Sequence, residues 1–193
     1  SVLLWIRDAR LLLTPAFQQI LRLARPIIID SAQFVDARAG LLELERHRRD
    51  GWRIKDLAWC RLTVWRETVA QMFETSACQR LLEKIDRVEI KGRFGATGTD
   101  VQYLAAWLGQ RLPAAQISAS GSGVQRIRLI AGGQRVEVND IGEALVATSL
   151  DGMVTRVPDP LRSDAHLLEE ELSILGPDPT YDATLRAVAH LMN

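Results

Sequence analysis

At 193 residues the chain is long enough for one large domain, and folding can bury roughly 70% of the surface that the unfolded chain exposes. Apolar residues make up 47% of it and charged residues 25%, with 24 Lys and Arg balanced by 24 Asp and Glu, so net charge recruits neither nucleic acid nor an anionic membrane. Cys60 and Cys78 match neither a CxxC redox pair nor a zinc-ligand spacing, which reads as a reduced, cytoplasmic chain.

Residues Val2 to Ile6 form a short apolar run that predicts a strand. The wider opening SVLLWIRDARLLL is interrupted by Arg7, Asp8 and Arg10 too early to be a signal core or a membrane span. Because the chain starts on Ser1 and directly on a strand, it reads as the later part of a longer protein. Thr14 can cap the helix PAFQQILRLA, with Pro15 at its first position, and Pro26 to Asp30 form a second strand. Runs that are apolar throughout suggest parallel strands covered on both faces. Asp30 and Ser31 then stand at a strand's carboxyl end, the usual location of binding groups in open α/β sheets; the competing reading is that they complete a turn. Asp36 is a candidate cap for a helix over 37–49 with Ala37, Leu41, Leu44 and Arg48 near one face, and Gly51 is placed to stop it. Arg46, Arg48, Arg49, Arg53 and Lys55 outnumber Asp50 and Asp56 in the next stretch, a pattern that fits a solvated face or a binding one.

Ser76 to Ile85 reads as a short helix and Asp86 to Phe94 as an alternating strand. The loop GATGTD, with Thr97, Gly98 and Thr99, leads into a helix over 101–112, where backbone N–H groups could cradle a phosphate. It lacks the GxGxxG and Walker spacings, and a plain turn with Thr99 or Asp100 as helix cap competes with the anion reading. From Gln116 to Val157 the runs IRLI, RVEV, ALVAT and MVTRV, punctuated by GSG, GG, NDIG and DG, predict an antiparallel meander. The tail passes from PDP into a helix over 163–175, then Gly-Pro, then a helix over 181–192. Glu169, Glu170 and Glu171 are expected to face water, or alternatively a partner. The fold class is therefore α/β: a β-α-β opening with a mixed sheet, an antiparallel meander in the second half and C-terminal helices. The expected organisation is a single domain over 1–193, with 116–157 as a sub-lobe.

Chemistry-bearing patterns are sparse. His47, His166 and His190 are scattered, with no HExxH and no metal cluster, and SGSG is not a GxSxG elbow. Asp159 and Asp164 could form a carboxylate pair only if the fold brings them together. Cys60 precedes an expected helix start, where a thiol can be activated. Trp52, Trp59, Arg61, Trp65 and Arg66 are concentrated in one stretch, in a chain with five tryptophans. Trp and Arg are enriched at interface hot spots, and a buried Trp pair with stacked arginines explains the same composition.

Read as a string, DLAWCRLTVWRETVAQMF (56–73) resembles the hallmark of the glucose-6-phosphate dehydrogenase assembly proteins, the OpcA family, which carries D-L-A-W-x-R-L-x-x-W-R-E-x-x-A-Q-x-F. LLWIRD and RPIIIDSAQF upstream, with Asp30, Ser31 and Phe34, are similar to the family's strand-helix-strand lead. DRVEI, LAAWLGQRL and VPDPLRSDAHLLEEELSILGPDPTY are similar to its later part, so the likeness covers nearly the whole chain as a C-terminal domain. The resemblance implies a non-catalytic cytoplasmic protein without cofactors that binds glucose-6-phosphate dehydrogenase and promotes its oligomerisation and activity in the oxidative pentose phosphate pathway. In photosynthetic bacteria it also implies a link to thioredoxin and redox regulation. Cys60 stands where the pattern has a small hydroxyl residue and Val64 where it has Pro, so no redox role for Cys60 follows from the motif.

The Pro of the pattern at position 64 suggests Thr63 as an N-cap, with Trp65, Val69 and Met72 as the buried face of the helix that follows. DLAWCRL becomes a lead-in that places Trp59 and Arg61 at a corner, with Arg66 near a positive helix end. The candidate partner-binding residues are Trp59, Arg61, Trp65, Arg66 and Glu67, and replacing Arg61 and Arg66 by Ala is expected to weaken activation while leaving the fold intact. The alternative is a sugar-phosphate or nucleotide-binding domain using Asp30, Ser31, Thr97, Gly98 and Thr99. A further reading is a structural lobe with the motif as core.

Overall fold

The apolar run that opens the chain and the isoleucine run around Ile27 pair as parallel strands, as continuous apolar patterning requires. The computed structural model describes residues 2–21, 23–74, 76–93, 95–121, 123–150, 152–159, 163–174 and 176–191. Phe94, Ser122, Pro160, Leu175 and Met192, each included in an element or turn expected above, lie outside the described residues. Two compact units are formed, one from residues 1–61 and 162–193 and the other from residues 62–161.

In the first unit β1 (Val2–Ile6), β2 (Ala24–Ile29) and β3 (Ile54–Asp56) make a parallel sheet in that order. Helix α1 (Pro15–Leu21) connects the first two strands, and α2 (Ala37–Arg49) the second and third. The bounds of α2 match expectation because both stop signals are local. The Asp36 carboxylate accepts from Ala39 N–H at 3.0 Å, and Gly51 takes φ 84°, which residues other than glycine rarely adopt. Helix α3 (Leu57–Arg61) follows β3 without a break. The stretch expected to be a non-helical lead-in is thus a short helix, its first turn held by the Asp56 carboxylate accepting from Ala58 N–H at 2.9 Å.

In the second unit α4 (Thr63–Met72) and α5 (Ser76–Leu82) precede β4 (Arg87–Lys91), and α6 (Thr99–Arg111) crosses to β5 (Gln116–Ser120). Strands β6 (Arg126–Ala131), β7 (Gln134–Asp140), β8 (Ala144–Thr148) and β9 (Val154–Pro158) complete a mixed sheet of order β5-β4-β6-β7-β8-β9. The meander expected from Gln116 begins one strand later: β5 pairs parallel to β4 across α6, and only β6 onward is antiparallel. Gly132 and Gly133, both at positive φ, make the tight turn between β6 and β7. Val88, Ile90, Ile127, Leu129, Val136, Val138 and Leu145 are buried on one face of this sheet.

The chain returns to the first unit with α7 (Asp164–Ser173) and α8 (Pro179–Leu191). Ile28, Leu57, Cys60 and Leu167 share a buried cluster there, so α7 covers α3 and the sheet. Among the described residues no helix is long and apolar enough to cross a membrane.

Candidate functional site

In the first unit, Asp30 leaves the carboxyl end of β2 and Arg61 ends α3. The Arg61 guanidinium forks onto Asp30, donating from Nη1 to Oδ1 at 2.7 Å and from Nη2 to Oδ2 at 2.9 Å, and Nη2 also donates to Asp164 Oδ1 at 3.1 Å. Asp30 further accepts from Ala32 N–H at 3.2 Å and from Gln33 Nε2 at 3.1 Å, while Ser31 N–H donates to Asp56 Oδ1 at 3.0 Å. Burial alone would lower the Arg61 pKa, but its bonds to Asp30 and the charges of Asp30, Asp164 and Asp56 raise it above its ordinary value. The strand-end pair Asp30 and Ser31 is therefore brought together with Arg61, inside one network.

Trp59 is 3% exposed, and its Nε1–H donates to Asp178 Oδ2 at 2.9 Å. Asp178 Oδ1 accepts from Thr180 and Tyr181 N–H at 2.9 and 3.0 Å, so the carboxylate that holds the indole also caps α8. The Tyr181 ring lies tilted against Trp59 at 5.9 Å between centroids. The Cys60 thiol donates to Glu170 Oε2 at 3.4 Å, and Lys55 Nζ donates to the Glu171 carbonyl, to its carboxylate at 3.1 Å and to the Ile174 carbonyl at 2.7 Å. Of the three glutamates expected to face water, Glu169 is exposed; Glu170 and Glu171 are turned to α3 and β3. Trp52, Arg53, Lys55, Trp59, Asp178 and Asp182 are among the residues lining a cleft of about 460 Å³. Burial raises the Asp182 pKa, opposed by Arg48 and reinforced by Asp178.

The rest of the Trp-Arg run belongs to the second unit. Trp65 is 3% exposed and lies, with Thr68, Val69 and Met72, on the buried face expected for α4. Leu62 rather than Thr63 is the N-cap, with φ −86° and ψ 1°. Thr63 is already helical, and its hydroxyl accepts from Arg66 Nη2 at 3.0 Å. Glu67 is exposed. In the glycine loop, Gly98 is the N-cap of α6 instead of Thr99 or Asp100, Thr97 is exposed and Thr99 is buried. Burial raises the Asp100 pKa, while backbone N–H groups of Val101, Arg93 and Asp100 itself stabilise its carboxylate at the start of the helix. A phosphate would have to compete with that carboxylate for the same donors.

Asp164, Asp178, Lys55 and Glu170 complete the first network, and the sequence reading did not assign them to it. Asp178 has a local signal, an Asp immediately before Pro179 at a helix start. Lys55 and Glu170 have none, because their partners lie more than a hundred positions away.

The fold has counterparts among solved structures. It is similar to a 3-ketoreductase from Actinomadura kijaniata in complex with TDP-benzene and NADP (TM-score 0.60, 10% identity, covering 98% of this chain and 75% of that one). It is also similar to an aldose-aldose oxidoreductase from Caulobacter crescentus (TM-score 0.58, 12% identity, 99% and 75%). At such identity the likeness shows the fold alone. Sequence similarity identifies the family: the model of the C-terminal domain of the OpcA glucose-6-phosphate dehydrogenase subunit matches residues 53–185, and the chain belongs to this OpcA family. Two relatives, each named "Putative OxPP cycle protein OpcA", are 30% identical over 141 residues (Nostoc punctiforme) and 32% over 104 residues (Synechocystis sp.). These matches cover 67% and 54% of this chain but 30% and 22% of the relatives, so the chain spans under a third of their length.

Proposed function

We propose that this protein is a non-catalytic subunit that binds glucose-6-phosphate dehydrogenase in the cytoplasm, promotes its oligomerisation and raises its activity in the oxidative pentose phosphate pathway. The observation that carries this reading is the family match over 53–185, which includes the whole string 56–73 with Trp59, Arg61, Trp65 and Arg66. Within that run Trp59 and Arg61 brace α3 against α7 and α8, which suits a rigid element that positions a contact. The sugar-phosphate or nucleotide alternative has less support, because Asp30 is engaged by Arg61 and the start of α6 by Asp100. A thioredoxin link draws no support from Cys60 or Cys78, both of which are buried.

Co-purification with the dehydrogenase, followed by its turnover and its mass in light scattering, tests the proposal. A stable complex with higher turnover and a larger oligomer is expected. Independent elution with unchanged turnover would overturn it.

A further inference from the structure

The six-stranded sheet of the second unit has one apolar face and one charged face. Strand register fixes the second: Lys91 lies opposite Arg126, which lies opposite Asn139, then Val146 and Arg156. Two residues along, Glu89, Arg128, Glu137 and Thr148 form the middle row, and Arg87, Ile130 and Arg135 form the third. The middle row holds two carboxylates and one cation: Arg128 lies 2.8 Å from Glu137 and 3.7 Å from Glu89, Glu89 is also 3.6 Å from Arg87 of the third row, and Arg156 is paired with Glu143 at 2.9 Å. Lys91, Arg126 and Arg135 have no carboxylate in ion-pair range among the described residues.

Like charges placed directly opposite on neighbouring strands destabilise the pairing, and Lys91 faces Arg126 in this way. Strand pairing therefore does not explain Lys91 and Arg126, while Arg135 lies opposite Ile130 and acts on Glu137 from beyond ion-pair range. With rows about 7 Å apart and strands about 5 Å apart, the face offers two cationic rows flanking a row that contains Glu89 and Glu137. A phosphate backbone would bring anions against those two carboxylates. A protein surface can place carboxylates over the outer rows and donors over the middle one.

We infer that this charged face of the sheet is a docking surface for an acidic patch on a protein partner, with half-buried Lys91 and Arg126 and exposed Arg135, none of them in an ion pair among the described residues, as its contacts. The inference rests on the assembly reading above and gives that partner's surface its chemistry. Complementary charge of this kind steers association and weakens with added salt.

The test is a triple variant, Lys91→Gln, Arg126→Gln, Arg135→Gln, which removes the repulsion between Lys91 and Arg126 together with the attraction of Arg135 to Glu137, and whose thermal melt is compared with that of the unsubstituted protein to verify folding. Binding to glucose-6-phosphate dehydrogenase is measured at low and high salt. The expected result is at least a tenfold weaker affinity at low salt, mainly through slower association, with the difference shrinking at high salt. If the unsubstituted protein binds and the variant binds equally well, the face is not the contact, while the assembly reading stands. If the unsubstituted protein does not bind, both fall. Tighter binding to duplex DNA than to the dehydrogenase, lost in the variant, would assign the face to phosphates and overturn the inference.

Discussion

Arg61 carries two bonds to Asp30 and one to Asp164, and the Asp30 side chain is only 6% exposed. Removing the guanidinium leaves that carboxylate buried with its cation gone. Truncation of one partner in a buried pair costs about 3–5 kcal/mol; Arg61 is 34% exposed, so solvent screening lowers the figure to about 2–3 kcal/mol. Arg61→Ala is therefore expected to lower the urea midpoint clearly, and Arg61→Lys to recover only part of it, since an ammonium cannot fork onto Asp30. The sequence-based expectation that Ala at this position spares the fold is revised accordingly. His47 supplies a pH signature. It is buried and stacked on Trp52 at 3.9 Å, and its Nε2 lies 3.1 Å from Glu43 Oε1 without the alignment of a hydrogen bond. Burial lowers its pKa, Glu43 and Asp50 oppose that and Arg46 adds to it. The unfolded imidazole, near 6.5, then takes up its proton before the folded one does, so this contribution is complete above about pH 6.5 and is lost as pH falls through the lowered folded value. Glu43 and Glu45, held below their ordinary values, act lower, below about pH 4.3. Thermal melts should begin to fall as pH drops below about 6.5, and His47→Phe, which keeps the ring stack, should flatten that limb. An unchanged limb would exclude His47 as its source.

At the scale of elements, α2 is held by a contact that its own propensity would not suggest. Gly40 sits mid-helix, where Ala is ordinarily better by about 1 kcal/mol. A Cβ there would stand 2.0 Å from Phe34 Cδ2 and 2.7 Å from Phe34 Cγ, so the ring must leave its place. Overpacking of this kind costs about 1–3 kcal/mol, which outweighs the propensity gain, and Gly40→Ala should destabilise the protein. Adding Phe34→Ala should make the double substitution less damaging than the sum of the two, measured by chemical denaturation in a double-mutant cycle. The same helix shows what sequence can and cannot tell. Its bounds follow from Asp36 and Gly51, which act within a turn of the chain, whereas the burial of Glu45 and His47 on a largely polar stretch depends on packing against α8 and Trp52. The burial of Trp65, Val69 and Met72 was legible from helical spacing, and the cap at Leu62 was not, because Thr63 directs its hydroxyl to Arg66 instead of to the helix end. For the candidate site, the string 56–73 supplied the candidates, but the engagement of Trp59 and Arg61 by Asp178, Asp30 and Asp164 is tertiary and left no periodicity to read.

At the scale of the whole chain, the two units differ in how they are assembled from sequence. The second is continuous, residues 62–161, and contains all six strands of its sheet together with the helices α4 and α6 that cover its apolar face. The first is discontinuous. Its three-stranded sheet comes from residues before 62, but Leu167, which closes the cluster of Ile28, Leu57 and Cys60, and Asp178, which holds Trp59, arrive only after the other unit has been traversed. Closing so long a loop costs entropy that must be met by contacts made late, whereas the hairpins from β6 to β9 are local. An excised polypeptide of residues 62–161 is therefore expected to fold alone, with a cooperative thermal transition and a near-ultraviolet signal from Trp65 and Trp107. Residues 1–61 alone should lack a cooperative transition and acquire one only when a peptide of residues 162–193 is added, because that peptide supplies the apolar cover, the carboxylate partner of Trp59 and the second carboxylate of Arg61, Asp164. If residues 1–61 melt cooperatively by themselves, the late contacts are not what stabilises the first unit.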